Sequence, residues 1–334
     1  MKKNYLKKIC IGKRELSSNV ILAPMSGVTD MPFRRLVKEF GAGQVISEMI
    51  ASEAMIRETR QSLQKACKFP GDTPATVQLA GCDPKVMAEA AKANEDLGAD
   101  IIDINMGCPV KKVVNGWSGS ALMKDEVKAA KILEATVKAV TIPVTLKTRT
   151  GWNTENRNSP RLAKIAEESG IQLITIHGRT RCQLYNGKAD WKFIRNVKDS
   201  VTIPVIGNGD VRCEEDAAQL LDDSGADGVM IGRGCYGRPW FLQQVIYFLE
   251  HGQKLAPPSL CEQKNILLRH IQDMFDHYEG ETGLKMARKH IGWYSKGLNA
   301  SAEFRSEINQ LMDKKQVLET ITNFYEESIR IKDD

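Results

Sequence analysis

Cys108 stands at the end of an apolar run, in the stretch Asp103 to Lys112 that reads DINMGCPVKK. A thiol on a Gly–Pro turn after a strand-like segment is placed to meet a ligand; the competing role is that of an ordinary buried cysteine. Similar runs end in polar residues. VQLAG carries Gln78, DINMG carries Asn105, and LKTRTGW carries Lys147 and Arg149. IHGRTR carries His177, Arg179 and Arg181, while GNGD and IGRG place Asn208, Gly209, Asp210, Gly232 and Arg233. An amide such as Gln78 offers both a donor and an acceptor to a heterocycle, and Lys147 is a compact donor suited to an anion or an electron-poor ring. His177 suits a phosphate, a base edge or a neighbouring carbonyl. The glycines of GNGD and IGRG let backbone N–H groups approach a phosphate, to which a following helix adds its positive end. These residues include no metal-ligand triad and no nucleophile paired with a base. They point to a phosphate-bearing cofactor that carries the chemistry, with Cys108 as proton donor or acceptor.

Such residues work together only if one scaffold brings the ends of their runs to one place. Eight β-branched runs, at 19–25, 44–50, 75–81, 100–106, 143–149, 173–179, 204–210 and 227–233, alternate with helical patterns. Segments such as DPKVMAEAAKANEDLG and DEVKAAKILEATVKAV repeat apolar residues at helical spacing, and Gly170 and Gly225 fall just past helix ends. Eight uninterrupted βα units predict an α/β protein with a (β/α)8 TIM barrel over residues 1–250. A doubly wound sheet fits less well, because the first turn, APMSGVTD, has no G-x-G-x-x-G pattern. In such barrels the loops after the seventh and eighth strands form a phosphate site, which is where GNGD and IGRG fall. After a Pro-rich joint, KLAPPSL, residues 255–334 read as helical throughout and predict a small C-terminal helical domain.

The 334 residues carry a net charge of +5, too little to define a partner. From residue 255 onward eleven Lys and Arg face thirteen Asp and Glu, yet LKMARKHIGWYSKG holds Lys285, Arg288, Lys289 and Lys296 with no acid. That is a local basic patch with aromatics inside it, the footprint of a polyanion. The eight cysteines form no C-x-x-C pair and no zinc-finger spacing, so most are expected to be free and buried, and no metal is expected. No apolar run is long enough to cross a membrane, and the basic N-terminus lacks a secretory apolar core; a cytoplasmic protein with no membrane partner is expected.

The chain resembles the tRNA-dihydrouridine synthases. The likeness rests on APMSGVTDMPFR, VQLAG, DINMGCPVKKVVNGWSGSALM, LKTRTGW, TIHGRTR, IPVIGNGDV and GVMIGRG, in that order along nearly the whole chain. MGCPVKK and ARKHIGWYSKG are most similar to the bacterial B-type branch. The resemblance implies an FMN-containing barrel at 1–250 and a helical tRNA-binding domain at 255–334, in a protein expected to act as a monomer. It places FMN on Ala23, Pro24, Met25, Gln78, Lys147, Asn208, Gly209, Asp210, Gly232 and Arg233, with His177 near the flavin. It makes Cys108 the catalytic acid and Asn105 a contact to the target uracil. The implied reaction reduces the uracil 5,6 double bond in tRNA, with NADPH as reductant, hydride added at carbon 6 and a proton at carbon 5. A stacked uracil must flip out to reach a barrel mouth. Phosphate contacts are expected from Arg34, Arg35, Lys111, Lys112, Arg179 and Arg181, and from Lys285, Arg288, Lys289 and Lys296 of the tail. Trp117, in NGWSGS, departs from the family pattern, which has a smaller or different residue there; stacking on a base, closing a lid and packing all stay open. The alternative reading is an FMN barrel that reduces a small pyrimidine or a related small molecule.

Overall fold

The computed structural model describes residues 5–333. A short antiparallel hairpin, β1 (Cys10–Ile11) and β2 (Arg14–Glu15), precedes nine strands of one parallel sheet. These are β3 (Val20–Leu22), β4 (Gln44–Val45), β5 (Ile50–Ala51), β6 (Thr76–Ala80), β7 (Ile101–Met106), β8 (Val144–Arg149), β9 (Ile174–His177), β10 (Val205–Asn208) and β11 (Gly228–Ile231). Their order is β4-β3-β11-β10-β9-β8-β7-β6-β5, and a parallel bridge from Ile46 to Thr76 joins the two ends into a barrel.

Each expected run appears as a strand, and the second is split. Between β4 and β5, Ser47 Oγ accepts from the Gln78 amide and the Glu48 carboxylate accepts from Gly27 N. Side chains thus take backbone partners that a continuous ladder would use. The parallel strands are buried on both faces, which is why they read as apolar runs without alternation. The hairpin closes one end of the barrel, packing Ile9, Ile11 and Leu16 against Ile21, Ile206 and Met230. Around the sheet run helices with acidic N-caps, including Asp30 for Met31–Glu39, Asp83 for Pro84–Asp96, Asp125 for Glu126–Ala139 and Asp190 for Trp191–Lys198. Each cap accepts a first-turn N–H that would otherwise be orphaned.

After the helix Phe241–His251 come four more, Leu260–His277, Thr282–Tyr294, Ser301–Gln310 and Lys314–Asp333. Residues 255–334 are therefore not helical throughout, since the last two helices are separated at 311–313. The break falls at Asp313, whose side chain accepts from Gln316 N and so starts a new helix. Leu267, Ile271, Met274, Ile291, Ile308 and Ile321 form their shared core, which reaches the barrel at Trp240. Phe33 of the barrel lies against His270 and His290, and Tyr278 Oη donates to Asp30 Oδ2 at 3.0 Å.

All eight cysteines are free, but the expectation that most are buried fails: Cys235 is buried, while Cys10, Cys67, Cys182 and Cys261 are exposed. They lie in the short hairpin strand β1, on a loop and at helix ends, where a small side chain is tolerated without being covered. Among the described residues, no helix is long and apolar enough to cross a membrane, and no group of three or more His, Cys, Asp or Glu is placed to hold a metal ion.

Candidate active site

At the C-terminal ends of the strands a cavity of about 1090 Å³ opens, and its walls reach into the helical region at Gln263, Trp293 and Lys296. The loop after β7 carries Cys108 into it. Three side chains set that loop. Asn105 Oδ1 accepts from Cys108 N at 2.9 Å, Ser120 Oγ donates to Cys108 O at 2.8 Å, and Arg149 Nε donates to Gly107 O at 2.8 Å. Arg149 is itself fixed by donating to the carbonyls of Thr180 and Leu184. Its burial, and not the nearby Tyr185 and Cys108, dominates its acidity, bringing it down to about 10.

Below Cys108 runs a chain of polar contacts. Asn105 Nδ2 donates to Gln78 Oε1 at 2.8 Å, Gln78 Nε2 donates to Asp103 Oδ2 at 2.6 Å, and Thr145 Oγ1 donates to Asp103 Oδ1 at 2.6 Å. Burial raises the pKa of Asp103, although Thr145, Gln78 and Lys147 oppose it. The chain orients both amides: the oxygen of Asn105 must face the Cys108 loop because its nitrogen is committed to Gln78.

Across the cavity, Asn208 joins two nitrogens. Its Oδ1 accepts from Lys147 Nζ at 3.3 Å and lies 2.9 Å from His177 Nδ1, while its Nδ2 donates to Met230 O. Because Asn208 presents an oxygen, His177 carries its proton on Nδ1 and leaves Nε2 free to accept, with Arg179 Nη1 at 3.4 Å. Burial, then Arg149 and Lys147, keep the His177 pKa well below the usual value, so the ring is neutral. Burial also holds Lys147 down at about 8, with Arg149 adding to the effect.

The loops after β10 and β11 form the third wall. A Cβ on Gly234 would lie 2.3 Å from Val211 O, and one on Gly209 would lie 2.8 Å from Ala189 Cβ. Glycine is required at Gly234 because the two loop backbones pass too closely for a side chain, and at Gly209 because the Ala189 side chain fills the space. Asp210, at φ 58°, turns its carboxylate away from the backbone cradle. It accepts from both terminal nitrogens of Arg179 and from Ala189 N. Burial pushes the Asp210 carboxyl up, but Arg179 and the Ala189 amide outweigh it and leave the pKa below the ordinary value. Trp191 Nε1 donates to Gly209 O at 2.8 Å and pins the loop from behind.

The lining includes six basic side chains, Lys147, Arg149, Arg212, Arg233, Arg238 and Lys296, against one carboxylate, that of Asp210, which Arg179 already engages. Such a wall suits a ligand carrying a phosphate dianion, and the glycine cradle gives it a place to sit. Ala23, Pro24, Met25, Gln78, Lys147, His177, Asn208, Gly209, Asp210, Gly232 and Arg233 all line this one cavity, together with Asn105 and Cys108.

The basic residues expected on phosphates divide sharply. Lys111 and Lys112 are exposed beside Cys108, and Lys285 and Lys296 are exposed on the tail. Arg181 is half-buried against Trp152. Two others have no surface to offer. Arg34, 2 % exposed, donates to the carbonyls of Thr29 and Cys67, and Arg179, 1 % exposed, grips Asp210. Arg35 pairs with Asp273 across the barrel and the helices, and Arg288 donates to Leu311 O. Lys289 turns inward, with burial lowering its pKa against the opposing pull of Asp30 and Glu48. The basic patch of the tail is therefore not one face, because helix Thr282–Tyr294 buries His290 and Ile291 on the side that packs.

Several lining residues escaped the sequence reading. Tyr185, 52 % exposed, lies between Arg149 and Arg233, whose guanidinium carbons are 5.5 and 4.5 Å from its ring centre. Tyr236 stacks on Trp293 with ring centres 4.0 Å apart. Strand ends alone cannot reveal them, since one lies deep in a loop and the other pair joins distant segments. Asp103 could have been noticed: it is an acid inside an otherwise apolar strand.

Comparison with known proteins agrees with this geometry. Residues 21–329 match the family model described as Dihydrouridine synthase (Dus). A probable tRNA-dihydrouridine synthase of Rickettsia bellii is 60% identical over 95% of this chain and 98% of its own length. The tRNA-dihydrouridine synthase B of Pseudomonas aeruginosa is 45% identical over 95% of this chain and 96% of its own. Among solved structures, morphinone reductase in complex with tetrahydroNAD aligns with a TM-score of 0.53 at 14% identity, covering 78% of this chain and 94% of that one. A 6-hydroxypseudooxynicotine amine oxidase from Pseudomonas geniculata aligns at 0.58 and 12% identity over 75% of this chain and 50% of that one. These two likenesses concern the fold alone, that of a TIM barrel. With the family model spanning most of the chain and relatives matching over nearly their full length, the chain belongs to the dihydrouridine synthase family.

Proposed function

We propose that this protein is a tRNA-dihydrouridine synthase that reduces the 5,6 double bond of a uridine in tRNA, using FMN and NADPH. The observation that carries this reading is the meeting, in one electropositive cavity, of the glycine cradle with the Cys108 loop on the facing wall. Gly209, Gly232 and Arg233 would hold the FMN phosphate, and Lys147, Gln78, His177, Ala23, Pro24 and Met25 would contact the ring. The chemistry that bound FMN, reduced by NADPH, would supply there is a hydride for carbon 6 of the uracil.

Everything else falls to the chain. Hydride addition leaves an enolate-like anion, which needs a positioned acid at carbon 5; a thiol is largely protonated at neutral pH and can donate. Cys108 fills that role, held at one address by Asn105, Ser120 and Arg149. Asn105 keeps one amide hydrogen beyond the bond to Gln78, and this hydrogen can meet a uracil carbonyl. Lys147 stabilises negative charge within the cavity. Lys111, Lys112, Arg181, Lys285 and Lys296 are the candidate phosphate contacts, with the C-terminal helices at 255–334 as part of the tRNA-binding surface.

The test is reconstitution. Purified protein loaded with FMN and supplied with NADPH is expected to form dihydrouridine in unmodified tRNA, read by mass spectrometry of the digested nucleosides. Failure to bind FMN, or FMN binding with no dihydrouridine in any tRNA, would sink the proposal.

A further inference from the structure

Trp117 lies outside the cavity and occupies a position where a tryptophan is conformationally unwelcome. The short helix Lys111–Asn115 ends at Gly116 with paired closing bonds: Trp117 N donates to Val114 O at 3.0 Å and Ser118 N to Val113 O at 3.2 Å. That pattern puts Trp117 at the left-handed position following the cap, where glycine is the usual residue. Its φ is 56°, and the residue is 54 % exposed. A bulky side chain in this region costs free energy, and the exposed ring recovers little by packing.

The surroundings of the ring are chemically specific. Lys124 Nζ lies 5.8 Å from the centre of Trp117 and 4.6 Å from that of Trp152. Lys128 Nζ is 6.0 Å from Trp117, and the Arg181 guanidinium is 4.8 Å from Trp152. Aromatic faces and cations therefore alternate along a surface ledge, the combination that binds single-stranded nucleic acid through stacking and phosphate neutralisation. A groove of about 480 Å³ borders it. The two carboxylates of that groove are engaged: Asp125 caps a helix and Glu126 binds Arg161 and Asn158.

The ledge is also tied through hydrogen bonds to the loops that wall the cavity. Ser120, three residues beyond Trp117, donates to Cys108 O, and Cys182 N donates to Trp152 O at 2.9 Å in the loop that leads to Tyr185. A nucleotide on the ledge would thus rest on segments bonded to the loop that carries Cys108 and to the loop that leads to Tyr185.

We propose that Trp117 is a stacking platform for a second unpaired nucleobase of the RNA substrate, flanking the uridine that enters the cavity, with Lys124, Lys128 and Arg181 on its phosphates. This inference rests on the reading of the protein as an enzyme of tRNA. The decisive variant is Trp117→Gly, because glycine suits the left-handed backbone and is expected to leave the melting temperature unchanged or higher. Affinity for unmodified tRNA and steady-state dihydrouridine formation are compared for wild type, Trp117→Gly and Trp117→Phe. The glycine variant is expected to raise Kd and KM for tRNA by roughly tenfold to a hundredfold with kcat little changed, and phenylalanine to restore most of the loss. NADPH oxidation in the absence of tRNA should be the same in all three. Kd and KM within twofold of wild type in the glycine variant would overturn the platform, as would a loss of binding accompanied by a lowered melting temperature. Wild-type protein that forms no dihydrouridine would instead overturn the tRNA reading beneath it.

Discussion

The two facing walls of the cavity are built by opposite means. The wall after β10 and β11 is backbone brought into close contact and braced by side chains from the segment after β9: Arg179 on Asp210, and Trp191 on Gly209. The wall after β7 is a loop held by side chains, with Asn105, Ser120 and Arg149 each bonded to its peptide groups, and it runs on into exposed Val110, Lys111, Lys112 and Trp117. Close-packed backbone recognises one small, constant group. An exposed loop meets something larger, whose contacts extend beyond the cavity. The contrast is what an enzyme needs when one ligand stays and the other is a macromolecule.

The largest expected effect breaks the second wall at its reacting atom. Cys108→Ala is predicted to retain FMN and tRNA binding while product formation falls by roughly 10²–10⁴-fold. Dihydrouridine measured by mass spectrometry at the wild-type level would remove the acid from that side. Breaking the first wall should show in stability instead. Asp210→Asn leaves the buried Arg179 guanidinium without its carboxylate, and is predicted to cost about 3 kcal/mol in denaturant unfolding along with FMN retention.

Lys147 sharpens the contrast by pH. In the FMN-free protein its folded pKa of about 8 lies under the ordinary 10.5, so between those values the unfolded chain binds more protons. Stability therefore rises with pH across that window, by at most about 3 kcal/mol from this group, and Lys147→Met should flatten the rise. Identical pH profiles for the two proteins would contradict a buried cation there. The smallest effect concerns the outer reach of the Cys108 loop: Lys112→Ala should reduce the slope of log tRNA affinity against log salt by about 1, with little change in kcat. An unchanged slope would take Lys112 off the phosphates.

Much of this was legible in the residues themselves. The β-branched runs at 75–81 and 100–106 become β6 and β7 because a strand covered on both faces is largely apolar, its polar residues Gln78, Asp103 and Asn105 being bonded to one another. GNGD and IGRG announce the cradle because only glycine tolerates the close approach at Gly209 and Gly234. The split of the second strand was hidden, since it depends on Ser47 and Glu48 finding partners on Gln78 and Gly27, far away in sequence. Tyr185 and Trp293 were hidden for the same reason: their cavity exists only once several loops and the last helices have come together.

Composition and order along the chain thus determined the kind of barrel, the strand ends that face a ligand, and the presence of a thiol among them. Those features are local, resting on spacing, side-chain branching and the lack of a Cβ. Tertiary structure alone decided what each charge does. Arg34 and Arg179 look no different in sequence from Arg181 or Lys112, yet folding encloses the first two among carbonyls and a carboxylate and leaves Lys112 exposed. A guanidinium acquires its role from what surrounds it, because removing it from water is tolerable only where hydrogen-bond partners converge on it, and that convergence is a property of the folded chain.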